Sequence, residues 1–230
     1  TFRAPVGSDE MKGKDDEFDG QGNPVIRGAG GPDAFGYVWI DSDEAGGPVF
    51  NWQDISGTGT VVGGLGDDNY VGPFPISFAF PFYGETKTQF WINSNGTVIF
   101  KDQYVTLGNS NIPTNSSTLN DFIAWFWDDL VMSASSVHYQ DFGNRLVIQY
   151  VDVRNFGQTQ LFDAQVIIYA NGSILVQYDN IDAGTDISGN TIGCQSSTPA
   201  VGLSVAFNTP YVHDGLALYM GPPGSHFIVD

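Results

Sequence analysis

The feature that most constrains this chain is the punctuation of its apolar residues. From about residue 33 they come in short runs, alternating or continuous, and the runs are closed by Gly, Asn, Asp or Pro. Side chains on every second residue share one face of an extended strand, whereas a helix needs a spacing of three or four. No window offers the helical spacing. The predicted strands are Phe35 to Ile40, Val49 to Trp52, Thr60 to Val62, Phe74 to Phe82, Gln89 to Ile92, Thr97 to Phe100, Phe122 to Trp127, Ser136 to Asp141, Arg145 to Val153, Phe162 to Ala170, Ser173 to Asp179, Val201 to Phe207 and Gly215 to Met220. Within Arg145 to Tyr150 and Gln165 to Tyr169 the alternation gives way to continuous apolar residues, as in strands whose second face is also partly covered. The expected fold is all-β, an antiparallel β-sandwich of jelly-roll type, with residues 33–230 as one domain.

The connections carry their own expectations. Asn95-Gly96 and Asn171-Gly172 are predicted to close hairpins as two-residue turns with both residues at positive φ. The Asn-, Ser- and Thr-rich segment 101–120 and the glycine-bearing segment 182–199 read as loops crossing between sheets or covering an edge. Residues 1–32, polar and glycine-rich with Asp15-Asp16-Glu17, read as an extended N-terminal arm able to pack along the body. No fixed-period repeat is present, which disfavours solenoids and propellers.

Charge narrows the partners. With 26 acidic against 8 basic residues and a formal net charge of -18, the surface repels phosphate backbones and anionic lipid. Nucleic acid is excluded as an expected partner, and with no apolar run near the ~20 residues of a membrane helix, so is membrane insertion. The first residues lack a signal-peptide core, so the chain reads as already processed or cut from a longer precursor. The lone Cys194 allows no intramolecular disulfide; it fits an exported bacterial or archaeal protein and reads as a small buried apolar residue.

Asp accounts for 22 of the acidic residues and Glu for 4, an asymmetry that suits turns and loops wrapping a hard cation. Three clusters are candidate calcium ligands: Asp41, Asp43 and Glu44; Asp67 and Asp68 beside Asn69; and Asp128 with Asp129. None matches the twelve-residue EF-hand loop, and solvated turn carboxylates are the competing reading. Among the tryptophans, Trp39, Trp52 and Trp91 are candidate platforms for a sugar ring, against the alternative that they fill the core. Trp125 and Trp127, two residues apart, are expected on one strand face, as are Phe80 and Phe82.

Enzymatic signatures are thin. His138, His213 and His226 are far apart and show no zinc-protease spacing, no nucleophile elbow occurs, and no glycine-rich loop leads from a strand into a helix. The expected class is therefore non-catalytic. A polysaccharide-acting hydrolase built from loop carboxylates such as Asp128 and Asp129 is the alternative, because such pairs assemble from distant strands.

Phe78-Ala79-Phe80-Pro81-Phe82-Tyr83-Gly84, Phe90 to Phe100 with its Asn95-Gly96 turn, Ile123 to Leu130 with Trp127-Asp128-Asp129-Leu130, Ala170 to Ser173 followed by Val176-Gln177-Tyr178, and Thr191-Ile192-Gly193 form a set of landmarks. Together they resemble a β-sandwich module of large exported bacterial surface proteins, distantly similar to nidogen-type extracellular domains. Asp33 to Trp39 and Phe50 to Ile55 resemble the usual lead-in, so the similarity spans most of residues 33 to 207. The resemblance implies surface display, adhesion or matrix roles. Combined with the residues, it gives the expectation of a secreted, calcium-stabilised module that contacts a cell-surface or matrix glycan or protein, or assembles an extracellular layer or filament through its arm.

Overall fold

The computed structural model describes residues 28–132 and 137–222, and among them every regular element is a strand. One sheet runs β1 (Ala29–Gly30), β2 (Val38–Asp41), β15 (Ala217–Gly221), β12 (Ile174–Asp179), β11 (Phe162–Tyr169), β10 (Arg145–Asn155), β9 (Val137–Asp141) and β3 (Thr60–Val61), with β8 (Leu130–Val131) pairing the far end of β10. The second runs β14 (Gly202–Phe207), β13 (Thr191–Gln195), β7 (Phe122–Trp127), β6 (Thr97–Ile99), β5 (Glu85–Asn93) and β4 (Tyr70–Phe82). All recorded pairings are antiparallel. The expected all-β sandwich is the observed architecture.

Period-two alternation builds the core. Leu146, Ile148 and Tyr150 of β10, Val166 and Ile168 of β11, and Val176 and Tyr178 of β12 point inward to meet Phe80, Phe90, Ile92, Ile123 and Trp125 from the other sheet. Ring contacts cross the interior at 4.2 Å between Trp125 and Tyr150 and 5.6 Å between Phe90 and Tyr139. Phe80 and Phe82 share a face as expected, stacked 5.9 Å apart. Cys194 is fully buried in the same core.

The shared face expected for Trp125 and Trp127 is not found. The amides of Trp125 and Phe126 both donate to the Gly96 carbonyl, at 3.1 and 3.3 Å. Two residues thus oppose one, a β-bulge that reverses the side-chain parity beyond it. Trp125 enters the main core, while Trp127 joins Trp91, Phe122 and Ala124 on the outer face of the sheet.

The two Asn-Gly hairpins also differ from expectation. Only the glycines, Gly96 and Gly172, have positive φ, and each loop has three residues. In the second, Gly172 N–H donates to the Tyr169 carbonyl and Tyr169 N–H to the Ser173 carbonyl, each at 2.9 Å. This is a type I turn closed by a left-handed glycine, the three-residue alternative to the tight mirror-image turn. At Gly96 a side chain is also sterically barred, since a Cβ would lie 1.8 Å from the Phe126 carbonyl oxygen.

Both outer faces are covered by irregular segments. Residues 101–120 lay Val105, Ile112 and Leu119 over the six-stranded sheet, covering its face rather than an edge. Residues 49–52, expected as a strand, join no ladder. They belong to a strap held to the other sheet by a ladder of buried glutamines, Gln149, Gln165 and Gln177, on neighbouring strands. Asn51 N–H donates to Gln177 Oε1 (2.6 Å) and Gln177 Nε2 returns a bond to the Asn51 carbonyl (3.0 Å). Gln165 makes the same pair of bonds with Gln53, and Gln149 accepts from Ile55 N–H at 2.9 Å.

Segment 182–199, expected as a loop, contains β13, paired between the edge strand β14 and β7 in the second sheet. Most of the expected N-terminal arm lies outside the described residues; of its end, Ala29 and Gly30 form β1 against β2. His226 also lies outside the described residues.

Candidate metal centre

The structure sorts the three acidic clusters by what their carboxylates already hold. Asp41 is fully buried at the end of β2: Oδ2 accepts from Gly28 N–H (2.8 Å) and Tyr211 O–H (3.1 Å), and Oδ1 from Asp43 N–H (3.1 Å). Burial pushes its carboxyl above the ordinary value against these bonds. Asp43 Oδ2 lies 2.9 Å from His213 Nε2, and the Glu44 backbone closes the same turn by donating to the Asp41 carbonyl and accepting from Gly47 N–H. This cluster braces the β2 turn against the loop before β15.

Asp128 and Asp129 are neighbours that serve different surroundings. Asp128 accepts from Asn155 Nδ2 (3.0 Å) and from the Asp129 amide (2.8 Å), and burial raises its pKa. The Asp129 carboxylate instead meets Asp67 and Asp68, one oxygen of each lying within 4.8 Å of the others. Oxygen ligands of calcium sit about 2.3–2.6 Å from the ion, so two of them can stand up to about 5 Å apart. The group meets that limit with carboxylate oxygens alone, the donor set of a hard cation.

The hairpin between β5 and β6 positions this group. Asn95, fully buried, donates from Nδ2 to Asp68 Oδ1 (3.0 Å), and its Oδ1 accepts from Leu130 N–H (3.3 Å). Tyr104 O–H, from the segment over the outer face, donates to the same Asp68 oxygen at 3.0 Å. Asn69 is turned away, its Oδ1 accepting from Gly66 N–H and its amide donating to the Gly64 carbonyl. Asp129 Oδ1 is a buried acceptor with no hydrogen-bond partner. Desolvation and then the charges of Asp68 and Asp67 push the Asp129 carboxyl up, and desolvation with the Asp68 bond pushes the Tyr104 phenol up to about 12. Unrelieved negative charge and an unpartnered acceptor fit a cation here.

Asn95 and Tyr104 were not visible from the sequence as site residues, because an Asn before Gly reads as turn chemistry. The remaining clue was the run Asn93-Ser94-Asn95, polar residues inside an otherwise apolar hairpin, all of them buried.

The three candidate ring platforms have separate fates. Trp91 is buried beneath residues 101–120. Trp39 is half-buried, edge-on to Tyr211 at 6.0 Å, with the Gly28 and Gly30 backbone so close that a Cβ on either would come within 2.5 Å of the indole. Trp52, on the strap, is half-buried and stacks on Phe50 with ring centroids 6.4 Å apart.

A family model described as NIDO related matches residues 48–217. Searches of curated proteins and of solved structures each found no match. The chain belongs to the nidogen-related family, a membership that suggests an extracellular, non-enzymatic module. Among the described residues no helix is long and apolar enough to cross a membrane.

Proposed function

We propose that this member of the nidogen-related family is a secreted, non-catalytic surface module of a bacterial exported protein, stabilised by calcium at Asp67, Asp68 and Asp129. The observation that carries the reading is the convergence of three carboxylates from two loops far apart in sequence, one of which carries a buried, unpartnered acceptor oxygen. The ion would stitch the loop before β4 to the turn after β7, fixing one rim of the sandwich. Its partners on this reading are a cell-surface or matrix glycan or protein, with the half-buried Phe50 and Trp52 pair as the aromatic contact. Self-assembly into a layer or filament through residues 1–32 belongs to the same proposal.

Calcium binding only the folded state adds about 2.7 kcal/mol at a hundredfold excess over Kd. The melting temperature should therefore rise by several degrees in calcium and fall back on chelation. Asp129→Asn should melt no lower than the parent in chelator, because it removes one of three mutually repelling charges, and should lose the calcium response. A melt indifferent to calcium and chelator would rule the site out. Retention on immobilised glycans, with and without a Trp52→Ala substitution, tests the partner class; loss of retention in the variant is expected.

A further inference from the structure

Among the described residues, the most unusual cation is unrelated to that rim. Lys87 on β5 is buried, with its Nζ 2.7 Å from Asp121 Oδ2 and 2.7 Å from Glu85 Oε2. The Lys87 and Asp121 side chains are 9% and 6% exposed, whereas Glu85 reaches solvent at 53%. The backbone leaves the pair little freedom. Lys87 stands opposite Phe80 in the register of β4 and β5, and Asp121, at positive φ, is tied by its carbonyl to Phe100 N–H (2.9 Å) and by its amide to the Ser196 carbonyl (3.1 Å). Asp121 Oδ1 is buried and has no hydrogen-bond partner.

We propose that Lys87 and Asp121 are joined by an intramolecular amide bond, with Glu85 transferring the proton that the reaction requires. An amine and a carboxyl held at contact distance react as one molecule, and such fixed pairs reach effective molarities of about 10⁵–10⁸ M. Burial disfavours the ion pair relative to the neutral amine and acid, which are the reacting forms. Consistently, desolvation is the largest influence on Asp121 and raises its carboxyl above the ordinary value, against the Lys87 bond and charge; Glu85 and Lys101 also face it. Glu85 is held lower by Lys87 and Ser197, whose hydroxyl donates to Oε1 at 2.6 Å, so it is ionised and placed to accept a proton.

The step balances without an oxidant. Glu85 takes a proton from the Lys87 ammonium, and the freed nitrogen lone pair attacks Asp121 Cγ. As the C–N bond forms, a C–O bond breaks, and the departing oxygen leaves as water carrying two protons, one returned by Glu85 and one given up by the attacking nitrogen. Ammonium and carboxylate thus become amide and water, with net charge unchanged and Glu85 regenerated. The product would clamp β5 to the start of β7 across β6, closing a covalent loop within the second sheet.

Intact mass spectrometry of the purified full chain, measured after denaturation, tests this. The expected mass is one water below that of the sequence, with a branched tryptic peptide joining Lys87 to the segment containing Asp121 and no cleavage after Lys87. Lys87→Arg, which keeps the charge, should restore the full mass. A full mass for the unmodified protein overturns the proposal. So does a water deficit that survives Lys87→Arg, which would point to dehydration elsewhere, as at Asp214-Gly215. A deficit that survives Glu85→Gln overturns the assigned role of Glu85.

Discussion

The two outer faces of the sandwich are covered by straps of similar irregularity but different balance of apolar and polar contact. Over the six-stranded sheet, residues 101–120 lie on a large apolar cluster with Trp91, Phe122 and Trp127, and their polar bonds, among them Trp127 Nε1 to the Thr106 carbonyl (2.7 Å), Asn93 Nδ2 to the Val105 carbonyl (3.0 Å) and Asn109 Nδ2 to the Gly189 carbonyl (2.8 Å), are made around it. Over the nine-stranded sheet, residues 51–55 are held mainly by the glutamine ladder, and the apolar contribution is one small cluster around Ile55, Val147 and Ile167. Apolar burial is non-directional and scales with area, whereas a buried amide contributes little net energy but is costly to leave unpaired. The first strap should therefore carry stability, and the second conformational specificity.

Trp127→Ala is the strongest way to break that contrast. It empties the space beneath the first strap and should cost about 3–5 kcal/mol, read as a fall in the denaturation midpoint. Gln165→Leu should cost less, about 1–3 kcal/mol, because it strands the Gln53 amide and carbonyl without removing comparable volume. Its larger signature should be local, with faster hydrogen exchange at residues 51–55 while the core strands stay protected. Equal losses from the two variants would dissolve the distinction between the straps.

The smallest expected effect is a pH dependence of the polar strap alone. Asp54 accepts from Gln149 Nε2 at 3.0 Å, and that bond, followed by those to Ser56, holds its carboxyl at about 2 against an ordinary 3.8. A carboxyl lowered by folding stabilises the fold above its unfolded value, and that contribution is lost as pH falls through the folded one. Trp52 emission should accordingly change between about pH 4 and pH 2, and Asp54→Asn should remove that change.

The second strap also shows what a sequence can and cannot convey. Val49-Phe50-Asn51-Trp52 alternates like a strand because the segment is extended, but periodicity reports extension and not the source of the backbone's partners, here side-chain amides. The converse error falls on Thr191–Gln195. Its glycine suggested a loop, yet at Gly193 a Cβ would lie 2.2 Å from the Leu203 carbonyl oxygen, so the close approach of β13 to the edge strand β14 demands glycine. Trp125 and Trp127 were misassigned by one bulge, which no alternation pattern encodes. At the rim, acidity was legible but its division was not: Asp41 and Asp128 are spelled like Asp129, and only tertiary contacts show that the first two already hold donors while the third faces other carboxylates.

The glutamine ladder has one more geometric consequence. Neighbouring strands are about 4.8 Å apart, while every second residue of an extended chain advances about 6.7 Å. Asn51, Gln53 and Ile55 nevertheless meet Gln177, Gln165 and Gln149 one for one. The three glutamines are directly opposed in register, so the segment crosses the strands, and tilt, contraction and side-chain reach absorb the difference between the two spacings, like the marks of a ruler fitted to a finer comb. Inserting one residue would offset every mark at once, so its length is constrained even though it joins neither sheet.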